Sequence, residues 1–461
     1  MRIHIPADLI RSNFSDALSD MYKQEVPLYA ELLDIVQGVN QSVLAADPSL
    51  GETVSGGGRL GSYDCEPHGA IRIGTASELN ALRRVFRVMG MFPVGYYDLS
   101  VAGVPVHSTA FRPIDRASFD VSPLRIFCSL LRLELIEDAD LRVRAAELLE
   151  TRQILSDRAM ELVAIAETED GLTREEADEF VAEVLETFRW RDTARVTAET
   201  YDRLLKEHRL IADVVSFKGP HINHLTPRTL DIDAVQAEML RRGIKAKSVV
   251  EGPPLRKVNI LLRQTSFQAL SEDIRFIAED GSEGEKGAHL ARFGEIEQRG
   301  VALTPKGREL YDSLLAEVRG FTGSVGEGYE QRLKTVFARF PDDAEVLRKE
   351  GLAYFEYQIT PKGELAIEAG VAVKPDLDEC IEEGLVAARA IVYEDFLPVS
   401  AAGIFQSNLG GVERGAYEGN ASQRAFETAL GTSVLDAFAL YSQQEAASRD
   451  GVLKQLARVP A

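Results

Sequence analysis

Cysteine and positive charge are the two features of which this sequence has little. Its three cysteines, Cys65, Cys128 and Cys380, are odd in number and far apart, which argues against a disulfide framework. No apolar run is long enough to span a bilayer, and the N-terminal residues lack the continuous apolar core of a signal peptide. These absences predict a soluble protein of a reducing compartment, which we expect in the cytoplasm and without a membrane partner.

The shortage of positive charge excludes one large class of partners. Lysine and arginine number 52 against 73 aspartate and glutamate residues, which gives a net charge of −21. A surface of that sign repels phosphate backbones, so no nucleic-acid partner is expected. The length of 461 residues, with 45% hydrophobic and 27% charged residues, suits one elaborated globular domain or two to three smaller ones.

What the sequence does contain is a repeated order of elements. The first copy opens on the strand HGAIRIG from His68, and the helix TASELNALRRVFRVMGM follows with Thr75 or Ser77 as its N-cap. Three further strands are predicted in YYDLSVAG, VPVHSTAFRPI and LRIFCSLLRLEL. The first copy is therefore a β-α-β-β-β module.

The second copy opens on HINHLT, continues into a helix that ends near Gly243, and has predicted strands in AKSVVEG, KVNILLRQTSFQAL and LARFGEIEQRGVAL. His68 and His224 take corresponding places on the first strands, whereas only the second copy offers carboxylates on its last strand. Because His221 and His224 are three residues apart on an extended chain, they face differently, and one of them is expected to reach the centre. The repeat predicts a pseudo-twofold pair of modules with one metal site.

Helical segments surround the two modules. A helix is predicted from Ser12 to Val43, and the helices between the modules are most simply a buttress on the outside of the sheet. The phrases LTPKG and ITPKG place threonine and proline at the N-cap and first position of two helices. The fold class is α+β with large helical insertions. The expected divisions are an N-terminal helical segment (1–66), the first module (67–136), a helical insertion (137–210), the second module (211–300) and a mostly helical C-terminal region that contributes to the pocket (301–461).

The strand period places chemically useful side chains on common faces. His68 and Arg72 share one face of the first strand at a separation of about 13 Å, so a cation would lie one small diacid away from a metal on His68. Glu295 and Glu297 share one face of the last strand, and either fits as a metal ligand. Two imidazoles and one carboxylate form the facial triad of non-heme iron(II) oxygenases, and zinc takes the same ligand types, so the pattern does not separate these metals.

A purely structural interpretation of the same residues also stays open. A histidine in a strand is commonly a packed, hydrogen-bonded residue, and both glutamates fit surface positions of a strand. Arg72 could pair with Asp64 or Glu66, a kind of ion pair that contributes little when it is exposed.

Four long motifs add a resemblance to these patterns. HGAIRIGT, HINHLTPRTLDID, RFGEIEQRGVALTPKG and FLPVSAAGIFQSN, spread from His68 to Asn408, together resemble the 2-oxoadipate dioxygenase/decarboxylase family, also called hydroxyglutarate synthase. The paired modules resemble the vicinal oxygen chelate superfamily, which implies a cupped mixed sheet around a metal. FGEIEQR is similar to the segment that carries the glutamate ligand in 4-hydroxyphenylpyruvate dioxygenase.

The resemblance implies a residue set and a reaction. It implies iron(II) as the cofactor and a small 2-oxo diacid and O2 as partners, with conversion of 2-oxoadipate to 2-hydroxyglutarate and CO2 in lysine catabolism. Glu295 is chosen over Glu297 by the alignment of FGE alone. The implied iron ligands are His68, His224 and Glu295; Arg72 is the catalytic residue that binds a substrate carboxylate, and His68, Val399 and Ser400 also border the substrate.

Two other functions fit the same fold. A zinc- or nickel-dependent isomerase or lyase, as in glyoxalase-like proteins, would use the triad without consuming oxygen. A metal-free ligand-binding module would use the cup alone. Oxygen consumption and metal analysis separate the three.

Overall fold

The computed structural model describes residues 2–48, 68–247, 249–290, 292–320, 328–369, 376–397 and 416–457. Within those residues the strands are β1 (His68–Ile73), β2 (Phe92–Asp98), β3 (Val106–Arg112), β4 (Arg125–Leu131), β5 (His224–Thr226), β6 (Leu262–Ser266), β7 (Ser271–Ile277), β8 (Glu283–Leu290), β9 (Phe293–Arg299), β10 (Phe355–Ile359) and β11 (Val386–Ala390).

The helices, likewise numbered along the described chain, lie before, between and after the strands. They are α1 (Ala7–Glu25), α2 (Pro27–Ala46), α3 (Ala76–Val88), α4 (Arg116–Val121), α5 (Ala139–Glu150), α6 (Asp157–Glu169), α7 (Arg174–Phe188), α8 (Ala198–Glu207), α9 (Arg209–Ser216), α10 (Ile232–Arg241), α11 (Pro305–Gly320), α12 (Tyr329–Phe337), α13 (Ala344–Lys349), α14 (Pro361–Glu368), α15 (Leu377–Glu382), α16 (Ala416–Leu430) and α17 (Ala437–Leu456). In the part of the chain that the structure describes, no helix combines the length and apolarity that a bilayer crossing requires.

A mixed seven-stranded sheet in the order β2-β3-β4-β1-β5-β9-β6 forms the centre of the fold. β1 is parallel to β4, and β5 is parallel to β9, so each half repeats the same arrangement. The halves meet where β1 and β5 pair antiparallel, with Ala70 opposite His224 and His68 opposite Thr226. The predicted α+β fold with paired modules is confirmed, and the two repeat-related histidines lie at the junction.

The first module follows the predicted order of strands and helix from β1 through α3 to β4, with two differences. The strand predicted in YYDLSVAG begins earlier, at Phe92, and ends at Asp98, and the short helix α4 lies between β3 and β4. Of the two N-caps considered for α3, the structure has Thr75, which forms a capping box with Glu78. The buried face of α3 places Leu79, Leu82 and Phe86 in the core. Local sequence signals therefore specify this module well.

The second module departs from the prediction. The described residues of the run AKSVVEG form no strand; isolated bridges join Ala246 to Phe267, just after β6, and Glu251 to Gln264 in β6. A longer ladder is blocked because Gly252 has φ 110° and the two prolines that follow have no N–H to donate. In addition, β7 and β8 form a separate two-stranded hairpin between β6 and β9 that the prediction lacked.

The single N-terminal helix predicted from Ser12 to Val43 is also wrong. Two helices, α1 and α2, occupy this region and divide at Val26. The break follows from Pro27, which lacks the N–H that a continuous helix needs but suits the first position of a new one. α1 packs on α7, and α2 packs on α10 and β9, so both helices cover the sheet.

The C-terminal region uses one local device twice. Pro305 begins α11 and Pro361 begins α14, as predicted. Each preceding threonine accepts a hydrogen bond from the N–H of a glycine, at 3.2 Å for Gly307 and 3.1 Å for Gly363. A side chain at Gly307 would lie 2.0 Å from the carbonyl oxygen of Leu352, and one at Gly363 would lie 2.3 Å from another backbone carbonyl oxygen. Glycine is required at both turns because backbone approaches backbone there.

Candidate metal centre and its polar surroundings

Two histidines and one glutamate converge at the junction of the modules. His68 is the first residue of β1 and His224 the first residue of β5, while Glu295 lies on β9, which pairs with β5. Nε2 of His68 is 3.1 Å from Oε1 of Glu295, and Nε2 of His224 is 3.9 Å from the same oxygen. The three side chains each offer a ligand atom within 4.8 Å of the others, and all are buried.

The triad fits a metal ion by a test that is independent of the motifs. Oε2 of Glu295 and both ring nitrogens of His224 are buried without a hydrogen-bond partner among the described residues. Buried polar atoms without partners are costly, so the site is incomplete as it stands. Two imidazole nitrogens and a carboxylate oxygen suit iron(II) or zinc, and a divalent cation would satisfy these atoms.

The two carboxylate oxygens of Glu295 have different surroundings. Nε2 of Gln264 on β6 donates to Oε1 of Glu295 at 2.6 Å, whereas Oε2 remains free of protein donors among the described residues. The rings of Phe396 and Phe293 pack against the two histidines, with centroids 4.9 Å from His68 and 4.7 Å from His224. These apolar walls exclude water from the centre.

Glu297 has a different position from Glu295, although both lie on the same face of β9. Oε2 of Glu297 is 2.8 Å from Nδ1 of His68, the ring nitrogen that does not face Glu295. Arg299 binds Glu297 through two hydrogen bonds of 2.5 and 2.8 Å. The structure therefore places Glu295 with the two histidines and Glu297 behind His68, a distinction that strand alternation left open.

The charges around the centre shift the pKa values of its groups. Burial disfavours the anion of Glu297, but Arg299 and His68 outweigh burial and hold the pKa well below its usual range. Burial alone would lower the pKa of His68, yet Glu297 and Glu295 raise it overall. Burial, followed by the charges of His68 and Arg72, lowers the pKa of His224 well below its ordinary value, so its imidazole is neutral, the form that binds metals.

Further ion pairs hold the segment that covers the centre. Arg112 grips Asp395 through hydrogen bonds of 2.8 and 3.1 Å, and Arg125 and Arg228 both pair with Glu394. Phe396, the next residue, contacts the ring of His68. These acidic residues of the YEDF phrase were missed by the sequence analysis, because nothing local links them to arginines nearly 170 to 280 positions earlier.

Arg72 lies on β1 four residues after His68, on the same face of the strand. Its Nη1 donates to Oδ2 of Asp213 on α9 at 2.6 Å. The expected alternative partners, Asp64 and Glu66, lie outside the described residues. The positive charge of Arg72 contributes to lowering the pKa of His224, one of the three residues of the triad.

Lys247 was not singled out from the sequence and lies beside the centre. Its backbone N–H donates to the carbonyl of Ser266, and Ser266 is directly opposite Glu295 in the β6–β9 register. Burial lowers the pKa of Lys247 to about 7, while the carboxylates of Glu251 and Glu295 act in the opposite direction. Lys247 lies between two isolated β-bridges and in no regular element, so no pattern in the sequence indicates that it approaches the centre.

The two repeat halves differ at the position that supplies the carboxylate of the centre. Parallel pairing sets His68 opposite Arg125 and His224 opposite Phe293, so Phe127 in β4 corresponds to Glu295 in β9. Phe127 supplies an aromatic ring, 5.1 Å from that of Phe396, where the second half supplies a carboxylate.

The remaining candidates divide into those that face elsewhere and those that are not described. His221 points away from the triad and lies 3.3 Å from Asp213, so one of the two histidines of HINHLT reaches the centre, as the spacing predicted. Val399 and Ser400 lie outside the described residues, as does Cys65. The side chains of Cys128 and Cys380 are buried.

Comparison with known proteins gives consistent similarities along nearly the whole chain. The sequence model of the family described as 2-oxoadipate dioxygenase/decarboxylase matches residues 14–408. The chain is 56% identical over 446 residues to a 2-oxoadipate dioxygenase/decarboxylase of Pseudomonas putida, which covers 96% of this chain and 95% of that one. It is 55% identical over 445 residues to one from Escherichia coli, with 96% and 98% coverage.

Solved structures agree with the sequence similarities. A hydroxyglutarate synthase from Pseudomonas putida in complex with 2-oxoadipate superposes with a TM-score of 0.91 at 54% identity, covering 98% of this chain and 99% of that chain. A further structure of the hydroxyglutarate synthase from the same organism gives a TM-score of 0.89 at 51% identity, with 98% and 99% coverage. The resemblance given by the four motifs is confirmed.

Proposed function

Since the chain belongs to the 2-oxoadipate dioxygenase/decarboxylase family of enzymes, we propose that it converts 2-oxoadipate and O2 into 2-hydroxyglutarate and CO2. We place iron(II) between His68, His224 and Glu295, and we place the reaction in lysine catabolism. The observation that carries the proposal is the buried triad, in which both ring nitrogens of His224 and Oε2 of Glu295 have no protein partner among the described residues.

The reaction balances without a further co-reactant. A six-carbon 2-oxo diacid loses its first carboxyl group as CO2, and both atoms of O2 enter the five-carbon product. One oxygen atom completes the carboxylate at the former keto carbon, and the other becomes the hydroxyl group. Bound iron(II) supplies an electron source for O2 and a Lewis acid for the 2-oxo acid.

The protein's own residues fix the geometry of the centre. Gln264 donates to Oε1 of Glu295 at 2.6 Å, and this oxygen lies 3.1 Å from Nε2 of His68 and 3.9 Å from Nε2 of His224, so Gln264 fixes the carboxylate beside both histidines. Glu297 faces Nδ1 of His68 and so keeps Nε2 directed at the same carboxylate. Phe293 and Phe396 keep bulk water away, which protects reactive oxygen species from side reactions.

Arg72 is proposed to bind the far carboxylate of the substrate. It lies on the same face of β1 as His68, about 13 Å further along by strand geometry, a distance that a six-carbon diacid and two polar contacts can span. A guanidinium binds a carboxylate through two parallel hydrogen bonds, so an uncharged chain end would leave it without that partner. Selection of a diacid follows from this contact.

Val399 and Ser400 are proposed to border the substrate. Phe396, only three residues before Val399, already contacts His68. The free thiol of Cys128 agrees with action in a reducing compartment, and we propose the cytoplasm.

Product analysis with metal-loaded protein tests the proposal. Protein loaded anaerobically with iron(II) and then given 2-oxoadipate and air is expected to form 2-hydroxyglutarate, identified by chromatography and mass spectrometry. Labelled O2 should place two labelled atoms in each product molecule. An isomerase or lyase on the same triad would form product without O2, and zinc-loaded protein would then be as active as iron-loaded protein.

A further inference from the structure

A second buried cluster of histidine and carboxylate side chains lies beside Arg72. It consists of Asp213 on α9, His289 on β8 and His221, three residues before His224. Nε2 of His289 is 3.0 Å and Nε2 of His221 is 3.3 Å from Oδ1 of Asp213. The cluster contains the same residue types as the proposed iron centre, but its hydrogen bonds are different.

The carboxylate of Asp213 is already surrounded by nitrogen donors. Its Oδ1 accepts from Nε2 of His289 and lies 3.3 Å from Nε2 of His221, and its Oδ2 accepts from Nη1 of Arg72 at 2.6 Å and from Nδ2 of Asn223 at 3.4 Å. In contrast, Oε2 of Glu295 and the ring nitrogens of His224 have no protein partner among the described residues and can bind a cation. A divalent ion at Asp213 would also be repelled by the guanidinium already bound there, so the cluster does not fit a second metal site.

On the side away from Arg72, Asp213 is held by His289, which in turn contacts Tyr201. The hydroxyl group of Tyr201 on α8 lies 2.7 Å from Nδ1 of His289, and both residues are buried. Nε2–H of His289 then donates to Asp213 while Nδ1 accepts from Tyr201. Burial would raise the pKa of Asp213, but His221, His289 and Arg72 outweigh it and hold the pKa well below its usual value, so the carboxylate stays charged.

We propose that Asp213 is a positioning residue that sets the guanidinium of Arg72 for the far carboxylate of the substrate. Asp213 takes Nη1, which leaves Nε and Nη2 without a partner among the described residues and available to a second carboxylate. The chain Tyr201–His289–Asp213–Arg72 fixes the direction in which those two nitrogens point. This inference rests on the proposed function, because it assigns the orientation of a residue to the selection of a diacid.

The test compares a diacid with a monoacid of equal length. For Asp213→Asn, kcat/KM on 2-oxoadipate is expected to fall about tenfold, mainly through a higher KM, because one charged hydrogen bond to Arg72 is lost. On 2-oxohexanoate, which lacks the far carboxylate, kcat/KM should stay within about twofold of wild type. His289→Leu removes the donor to Asp213 without removing the carboxylate, and a fall of about threefold on the diacid alone is expected. The His289 variant also tests the proposal if Asp213→Asn does not fold.

Glu78→Gln is the matched control. Glu78 is as buried as Asp213 and binds a buried arginine, Arg152, through hydrogen bonds of 2.7 and 2.8 Å. Arg152 also donates to the carbonyl of Val214, so the control disturbs the end of α9 without contacting Arg72. For Glu78→Gln, the diacid-to-monoacid ratio, which is kcat/KM on 2-oxoadipate divided by kcat/KM on 2-oxohexanoate, should equal that of wild type.

The outcomes separate the two proposals. Wild-type protein that does not turn over 2-oxoadipate overturns the proposed function and this inference with it. Wild-type turnover combined with an unchanged or increased diacid-to-monoacid ratio in both Asp213→Asn and His289→Leu overturns the inference alone. An equal loss of that ratio in Glu78→Gln overturns it as well. Iron analysis supplies a readout without turnover: one ion per chain is expected in wild type and in Asp213→Asn, whereas a fall from two to one would make the cluster a metal site.

Discussion

Nδ1 of His68 lies 2.8 Å from Oε2 of Glu297, while Nε2 of the same ring faces Glu295 at 3.1 Å. One imidazole is thus held between two glutamates that belong to the same strand face. Glu297 is anchored in turn by two hydrogen bonds from Arg299. Residues behind a metal ligand fix its tautomer and orientation, and we expect Glu297 to do so for His68.

Glu297→Gln is expected to weaken iron binding by about 10- to 100-fold, since the amide no longer fixes the imidazole of His68. Competition with a chromophoric chelator under anaerobic conditions measures this affinity. The free energy of unfolding of the metal-free protein should also fall by about 3–5 kcal/mol, because Arg299 loses its carboxylate. Glu394→Gln, in the same arginine network but away from both histidines, is the control. Unchanged iron affinity in folded Glu297→Gln would remove Glu297 from this role.

Alanine at His68, His224 or Glu295 is expected to abolish turnover and to leave the purified protein without bound iron. Each residue supplies one of three ligands, and the two that remain do not hold the ion against a chelator. His107→Ala is the matched control, because His107 is a buried histidine that contacts Tyr96 away from the triad. Its iron content should equal that of wild type. Normal turnover in any of the three ligand variants would contradict the assignment of the triad.

Arg72→Ala is expected to reduce kcat/KM on 2-oxoadipate by about a hundredfold, the scale of two lost charge-assisted hydrogen bonds. On 2-oxohexanoate the change should stay within about threefold, apart from any general effect of freeing Asp213. Steady-state kinetics with both substrates measures the difference. Equal losses on the two acids would mean that Arg72 has no part in recognising the far carboxylate.

Gly307→Ala and Gly363→Ala are each expected to lower the free energy of unfolding by about 1–3 kcal/mol, because the new methyl group meets backbone carbonyl oxygens at 2.0 and 2.3 Å. Gly38→Ala supplies the contrast. Gly38 lies exposed within α2 with nothing near its added Cβ, so alanine should stabilise by up to about 1 kcal/mol through helix propensity. Denaturant unfolding compares the three variants. No destabilisation at either TPKG turn would refute the close-approach argument.

The sequence predicted those parts of the fold that depend on local signals and on the repeat. The first module, the Thr75 cap and the starts of α11 and α14 follow from residues within a few positions of one another. The correspondence of His68 and His224 came from element order alone, and antiparallel pairing of their strands brings the two residues together.

What the sequence did not predict depends on contacts between distant segments. Gln264, Lys247 and Asp213 each approach the centre from an element whose own pattern is ordinary, so no spacing singled them out. Alternation could not separate Glu295 from Glu297 either, because residues two apart share a face and only the positions of their partners differ. AKSVVEG failed as a strand because its apolar run is followed by Gly252 and prolines.

Oxygen uptake by anaerobically iron-loaded protein on addition of 2-oxoadipate, with CO2 release followed in parallel, tests the central claim most directly. The account predicts equal amounts of O2 consumed and CO2 released, with 2-hydroxyglutarate formed in the same amount. No uptake by protein with iron verifiably bound would contradict the dioxygenase function.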